Sequence, residues 1–398
     1  MAHIYHALGL NMHQPPGNLL SLHNSDERWE SRQILWCYDR PTRMLEGYED
    51  VARLHMSLSG TLLKQFEDPA IRETFHDVVD IQDILERFRR SPIEFTGTGL
   101  YHPVYPLIPP ADWDAQTSWW IGLGRHLLGR DWFQGFWPPE MGFCMEMVPM
   151  LKRHGYRYVV VDSWYIKPKR QMRWEELRYR PYIARYGGAE IIVVPRDREL
   201  SDAQLSGLDP GWFQHEVYQR TKHCDFPALV TTWTDGDNGG WFRTVHTGSG
   251  FWGYFYQEIL NRYRAGTLGF RPVHITEYLN MHPPVEEVEV HRGAWNTGHH
   301  WGGDFTQWTG SLLQKKGLEE LHRASDYYQR AKHAFDERHQ GAGNPEEIRH
   351  MITAAYDHIL VAETSCNFYW GSHWVHRSFD GIEKAYRLLD TAMSLLPS

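Results

Sequence analysis

The sequence predicts an α/β protein, a parallel sheet closed or nearly closed into a barrel and followed by a C-terminal helical bundle. Three observations predict it. Short runs of β-branched and aromatic residues alternate with helical-period segments as far as about residue 304, the pattern of βα units. Two of those runs end in a carboxylate next to residues that stop a strand, which is where parallel α/β folds place chemistry. Beyond residue 304 the strand pattern ceases and apolar residues recur at helical spacing.

Residues 4–10 read as the first strand, running into Asn11-Met12-His13-Gln14-Pro15-Pro16-Gly17-Asn18. Residues 41–50 read as helical, with Pro41 at an N1-like position. A short strand is expected over 54–58 and helical material over 62–90. The strand at 93–96 ends in Gly97-Thr98-Gly99-Leu100-Tyr101-His102-Pro103, and 112–128 is an aromatic-rich helix. The central strand runs from Phe133 to Trp137. Pro138 and Pro139 cannot continue a ladder, so the strand stops there and the chain presents Glu140.

After a short helix over 147–154, closed by Gly155, residues 156–161 form a buried strand that ends at Asp162. Residues 182–186 and 190–194, joined through Gly187-Gly188, read as a hairpin or as two strand fragments. Residues 195–208 read as a loop or short helix, and 213–223 as a helix. The run 228–233 is a strand that ends in Thr234-Asp235-Gly236-Asp237-Asn238-Gly239-Gly240-Trp241, whose glycines leave room for a ligand near the backbone. Helix is expected over 255–264 and a last strand over 273–277.

In the tail, 308–340 reads as one long helix or a pair. Ile348, Met351, Ile352, Ala355 and Ile359 share one helical face, as do Ile382, Ala385, Tyr386 and Leu389. Residues 341–345 are a turn between helices. The organisation expected is therefore a catalytic barrel over 1–303 and a helical segment over 304–398 packed on it.

Composition narrows the function. A chain of 398 residues accommodates one large barrel with an appendage. Without a run of eighteen apolar residues, no membrane span is expected. The N-terminus has neither a basic n-region nor a long apolar stretch, so no secretory signal is expected. Cys37, Cys144, Cys224 and Cys366 form no C-x-x-C pair, which disfavours a disulfide framework or zinc ribbon and suits a reducing cytoplasm. A net charge of −9 argues against a nucleic-acid partner. The 18 tryptophans and 21 tyrosines exceed what core packing ordinarily asks for. Many fill the core, and flat faces that stack on sugar rings account for others.

Taken alone, Glu140 reads at least as well as a loop glutamate or as one favoured by a helix N-terminus. Asp235 changes the balance. Two strand-end carboxylates remote in sequence can meet across the mouth of one barrel, as glycoside hydrolysis requires: one attacks the anomeric carbon, the other protonates the leaving oxygen.

With these residues in view, the chain resembles glycoside hydrolase family 57, in ordered pieces over nearly its whole length. His13-Gln14-Pro15 with Gly17-Asn18 is similar to the family's first motif, and Ile93-Glu94 with Tyr101-His102-Pro103 to the second. Trp137-Pro138-Pro139-Glu140 resembles the third, Asp235-Gly236-Asp237 the fourth, and Gly293-Ala294-Trp295 through Trp308, less closely, the fifth. The run 196–202 is also typical of the family. The fourth motif more often carries glutamate where Asp237 stands. The resemblance implies a distorted parallel (β/α)7 barrel with a C-terminal helical bundle, acting on α-1,4-glucans or maltooligosaccharides as a 4-α-glucanotransferase, α-amylase or branching enzyme. It makes Glu140 the nucleophile and Asp235 the acid/base of a retaining double displacement, with no cofactor and no metal. Asp235 is expected to have a raised pKa, from Glu140's charge and partial burial.

For substrate binding the candidates are His13, Gln14, Glu94, Tyr101, His102, Trp137, Asp237, Trp241, Trp301, Trp308 and Trp370. His13 and His102 are read as sugar contacts over core histidines. Glu94, mid-strand, reads equally as a structural carboxylate. Trp137 and Trp241 are read as stacking platforms. Trp301, Trp308, Trp370 and Trp374 line a groove from the helical side or fill the core. Asp237 orients Asp235, binds a hydroxyl or caps a turn. Asp162, Asp197 and Asp202 are read as structural. Two other classes compete. Related barrels occur in metal-dependent deacetylases and α-mannosidases, and the 24 histidines invite that reading. However, His3, His6 and His13 make no clean triad, and no H-x-x-x-H or H-x-x-E-H stands on a convincing helix. A non-catalytic glucan-binding protein is disfavoured by the presence of both carboxylates.

Overall fold

Seven strands point the same way around one axis. They are β1 (Ile4–Met12), β2 (Leu54–Leu58), β3 (Glu94–Thr96), β4 (Gly135–Phe136), β5 (Tyr158–Asp162), β6 (Ala189–Arg196) and β7 (Ala228–Asp235). The computed structural model describes residues 3–295 and 305–397. β1 pairs in parallel with β2 on one side and β7 on the other, and β2 pairs with β3. β4 is joined to β3 by the Gly97–Phe136 bridge and pairs with β5, which pairs with β6. The ring closes between β6 and β7, where the Asp197 amide donates to the Thr231 carbonyl at 2.9 Å and Arg196 Nε to the Trp233 carbonyl at 2.7 Å. Among the described residues this seam has no ladder, and the Trp233 amide donates across it to Ser201 Oγ as well, at 3.1 Å.

The interior is packed with indoles. Trp137 and Trp233 are fully buried and stack at 4.8 Å, 14° from parallel. Burying one such ring removes ~200 Å² from water, which at ~25 cal/mol per Å² stabilises by about 5 kcal/mol. Neighbouring strands must be bare to admit them. A Cβ on Gly9 would lie 2.0 Å from the Trp233 ring, and one on Gly135 would lie 2.2 Å from the Tyr158 ring.

The predicted strands at 54–58, 93–96, 156–161 and 228–233 are in place, and 182–186 with 189–196 is the antiparallel hairpin. Two other expectations, the start at Pro41 and the last strand, are corrected, and two, 62–90 and 195–208, are sharpened. Pro41 lies in the last turn of the helix Arg28–Arg43, not its first. Buried Ile34, Leu35, Cys37 and Tyr38 drive that helix from before the proline, and 44–50 is turn. The helical stretch 62–90 is three helices, Gly60–Glu67, Pro69–Phe75 and Ile81–Arg90, because Asp68 and Asp80 each accept amide hydrogen bonds as caps and restart the chain. The strand expected over 273–277 is only Arg271–Pro272, paired with the start of β1, and a later short strand, Val288–Val290, lies off the barrel. Residues 275–281 are helix, since Glu277 reaches back to the His274 amide at 2.9 Å. Residues 195–208 contain a true helix, Arg198–Ser206, capped by Asp197.

In the tail, Leu312–Arg338, Pro345–Ala362 and Ser372–Ser394 are long helices packed on one another, with the short helix Cys366–Tyr369 between the last two. The expected boundary between 303 and 304 falls outside the described residues. Among the described residues no helix is long and apolar enough to cross a membrane.

Candidate active site

The carboxyl ends of β1, β3, β4 and β7 supply one rim of the site. Parallel pairing sets Asn11 of β1 opposite Asp235 of β7. Asp235 is half-buried, and its carboxylate accepts from Asn11 Nδ2 at 3.0 Å and Asn238 Nδ2 at 2.9 Å. After β4 the proline pair turns the chain into a left-handed backbone: Glu140 has φ 56° and Met141 φ 52°. His102, after β3, is the third non-glycine residue at positive φ among the described residues, with φ 54°. All three lie together at this site, a cost of ~1–3 kcal/mol each that surrounding structure must hold in place.

Glu140 is buried. Its Oε2 accepts from Trp295 Nε1 at 2.6 Å and its Oε1 from Ser365 Oγ at 2.8 Å. Burial is the main force on its pKa, pushing it up to about 7; the charge of Asp235 adds to the rise, and the two donors oppose it. Burial also raises Asp235, opposed by its two asparagines and by the nearby Arg196 guanidinium. Of the two expected causes, burial and the charge of Glu140, burial leads; the repulsion between the two carboxylates is mutual and shows mainly in the rise of Glu140.

Glu140 and Asp235 line one cavity of about 110 Å³ together with Asn11, His13, His102 and Asn238 from the barrel, Trp295, and Cys366, Tyr369 and Trp370 from the helical segment. His13 and His102 stack face to face at 3.7 Å, 8° from parallel. Burial pushes His13 down to about 3 and His102 well below its ordinary value, so both imidazoles are neutral near pH 7. His13 Nε2 lies 3.3 Å from Cys366 Sγ. A larger groove of about 970 Å³, between Trp113 and the helix Leu312–Arg338, contains neither carboxylate. Among the described residues no group of three or more His, Cys, Asp or Glu is placed to hold a metal ion.

Of the other candidates, all but Trp370 lie elsewhere or outside the described residues. Trp137 is core, beneath the site and edge-on to Trp295 at 5.6 Å. Its strand-end position aims it into the barrel, so it offers no open face to a ligand. Asp237 is buried and accepts from Tyr38 at 2.6 Å, the His13 amide at 3.1 Å and Gln14 at 3.4 Å. It pins the first-motif loop, and burial raises its pKa to about 7. Gln14 is spent in the same contact and on Asn18. Glu94 opens β3 at its amino-terminal end, where Tyr158 and Thr276 hydroxyls donate to it. Tyr101 is buried with its hydroxyl on Asp357 and Lys64. Trp241 packs against Tyr254 and away from the cavity lining, and Trp308 is fully buried near Tyr369. Trp374 is covered by Arg377 at 3.6 Å. Trp301 lies outside the described residues. Trp370, 55% exposed, is the tryptophan of the helical side that does reach the cavity.

Sequence reasoning passed over Asn11, Asn238, Ser365, Cys366 and Tyr369. Asn11 had a signal: it continues β1 in register with Asp235. Ser365 had none, since only the packing of the tail brings it to Glu140.

The model of glycosyl hydrolase family 57 matches residues 8–291. A 4-alpha-glucanotransferase of Thermococcus litoralis is 30% identical over 204 residues, covering 50% of this chain and 28% of the relative. An alpha-amylase of Pyrococcus abyssi is 28% identical over 205 residues, with the same coverage of 50% and 28%. The chain thus spans little more than a quarter of these relatives' length. The branching-enzyme structure from Pyrococcus horikoshii, of the same family, superposes with TM-score 0.72 at 16% identity over 98% of this chain and 88% of that one, a likeness of fold. The matched stretch carries every barrel strand from within β1 onward and both rim carboxylates, and on that footing the chain belongs to glycosyl hydrolase family 57.

Proposed function

We propose that the protein cleaves α-1,4-glucans with retention, as a 4-α-glucanotransferase or an α-amylase-type hydrolase. The observation that carries the reading is the convergence of Glu140 and Asp235 on one cavity roofed by the helical segment. Glu140 attacks the anomeric carbon while Asp235 protonates the glycosidic oxygen, and the departing sugar leaves a glycosyl ester on Glu140. Asp235 then takes a proton from water or from an acceptor hydroxyl, which breaks the ester and returns both groups to their starting states.

The chemistry needs one proton on the pair. Burial raises both carboxyls and each feels the other's charge, so the two titrate as a coupled pair. Productive binding puts that proton on Asp235. The donors Trp295 and Ser365 favour an ionised Glu140, and the leaving oxygen arriving at Asp235 gives its proton a destination. The neutral His13 and His102 act as hydrogen-bonding groups beside the sugar, and Trp370 as an exposed stacking face. The four cysteines are unpaired, which suits a reducing cytoplasm.

The test is Glu140→Gln and Asp235→Asn assayed on maltotriose to maltoheptaose. Loss of turnover in both is expected, and full activity in either ends the assignment. Products longer than the substrate mean transfer; only shorter ones mean hydrolysis.

A further inference from the structure

We propose that Ser365 is a positioning residue for the nucleophile, the middle of a directed chain from His102 Nδ1–H to Ser365 Oγ–H to Glu140 Oε1. The inference rests on reading Glu140 as the nucleophile. It concerns a residue beyond the stretch that the family model matches, which ends at 291.

The direction follows from counting protons. Ser365 Oγ lies 2.8 Å from Glu140 Oε1 and 3.1 Å from His102 Nδ1. An ionised carboxylate only accepts, so the single hydroxyl proton of Ser365 goes to Glu140. The serine oxygen is then left with lone pairs toward His102, and that contact is a hydrogen bond only if Nδ1 carries the proton. Neutral His102 has one ring proton, so its Nε2 bears a lone pair, and this buried atom has no hydrogen-bond partner. The other tautomer would draw the serine proton away from Glu140 and leave a hydroxyl lone pair against an anion. Protonating Glu140 reverses the chain: the carboxyl then donates to Ser365, and Ser365 to His102.

The chain is clamped from both ends. The Ser365 amide donates to the His102 carbonyl at 3.1 Å, and Thr364 bridges Pro103, so the loop after β3 and the end of the helix Pro345–Ala362 are stitched together. His102 is fixed further by its left-handed backbone and its stack on His13. The helical segment thus reaches into the barrel to choose which oxygen of Glu140 is held and which protonation state is favoured. The titratable groups facing Glu140 are Asp235 from β7, His102 at 3.6 Å, and Cys366 and Tyr369 from the tail. None of the four supplies a second donor to Oε1.

The experiment is the pH profile of kcat/KM on maltoheptaose for the full chain and for Ser365→Ala and Ser365→Thr. Removing a hydrogen bond to a charged group moves the acidic limb of Ser365→Ala upward by about one pH unit and lowers kcat/KM on that limb about tenfold, with KM little changed. Ser365→Thr, which keeps the hydroxyl, restores the limb. An unshifted limb in Ser365→Ala, with Glu140→Gln inactive, overturns the role of Ser365 alone; an active Glu140→Gln overturns the nucleophile and the chain with it. Nitrogen-15 NMR of the unsubstituted protein, with His102 assigned by loss of its signals in His102→Gln, gives a reading that does not depend on how the serine variants fold. The Nδ1–H tautomer is expected above the acidic limb, and the Nε2–H tautomer there overturns the chain.

Discussion

The two acidic strand ends are built in opposite ways. β7 is eight residues long, paired along its length with β1, and delivers Asp235 as its last residue, where asparagines on the adjoining strand and loop hold it. β4 is two residues long, and Glu140 stands four residues beyond it on a left-handed backbone. Its donors, Trp295 and Ser365, come from 155 and 225 residues away. Sheet register places one carboxylate, and tertiary packing places the other. A group placed by register tolerates loss of a neighbour, whereas one placed by packing depends on every part of its enclosure.

The comparison is broken most severely by removing either acid. On the proposed roles of nucleophile and acid, Glu140→Gln and Asp235→Asn should each lower kcat on maltoheptaose by more than ~10³-fold; if only one of the two shows the loss, the pair does not work together. Stability then separates the ends. Glu140's pKa in the folded protein, about 7, lies above its unfolded value, so the folded state binds more protons between those values and stability falls as pH rises through about 7. Glu140→Gln removes that dependence. We expect it to stabilise by up to about 3 kcal/mol at pH 8 and to give no gain near pH 4, as read by denaturant melts at both pH values. Asp235→Asn, at a more exposed position, should give a smaller gain; an equal one would mean that the two enclosures do not differ.

Gly9→Ala tests the register-built end. The added methyl collides with Trp233 on β7, and overpacking should cost about 1–3 kcal/mol in thermal or urea unfolding while Glu140's contacts remain. The smallest effect is expected at single donors. Trp295→Phe should lower kcat/KM about tenfold, and Asn238→Ala only ~2–3-fold, because Asp235 keeps Asn11. Equal losses would erase the distinction.

The same division decides what was legible in the sequence. The run to Asp235 could be read because β-branched residues, then glycines, mark a strand and its end within one window. Pro138-Pro139 likewise marked the stop before Glu140. What encloses Glu140 could not be read, because Ser365 sits among ordinary helix-end residues and gains meaning only when the tail docks. Trp137 was misread for a related reason: its place at the strand end is local, but its ring is covered by stacking on Trp233 from another strand, which itself lies over bare Gly9. Pro41 and residues 273–277 failed differently, since a start signal was taken at face value where buried residues before Pro41, and a glutamate capping from within, set the true helix bounds.

The left-handed residues His102, Glu140 and Met141 carry a lesson for anyone wishing to transplant this site. Copying the acids onto another scaffold would reproduce the reagents but not the contorted main chain that aims them. A donor loop with relaxed torsions would swing Glu140 out of its enclosure and return it to an everyday surface glutamate.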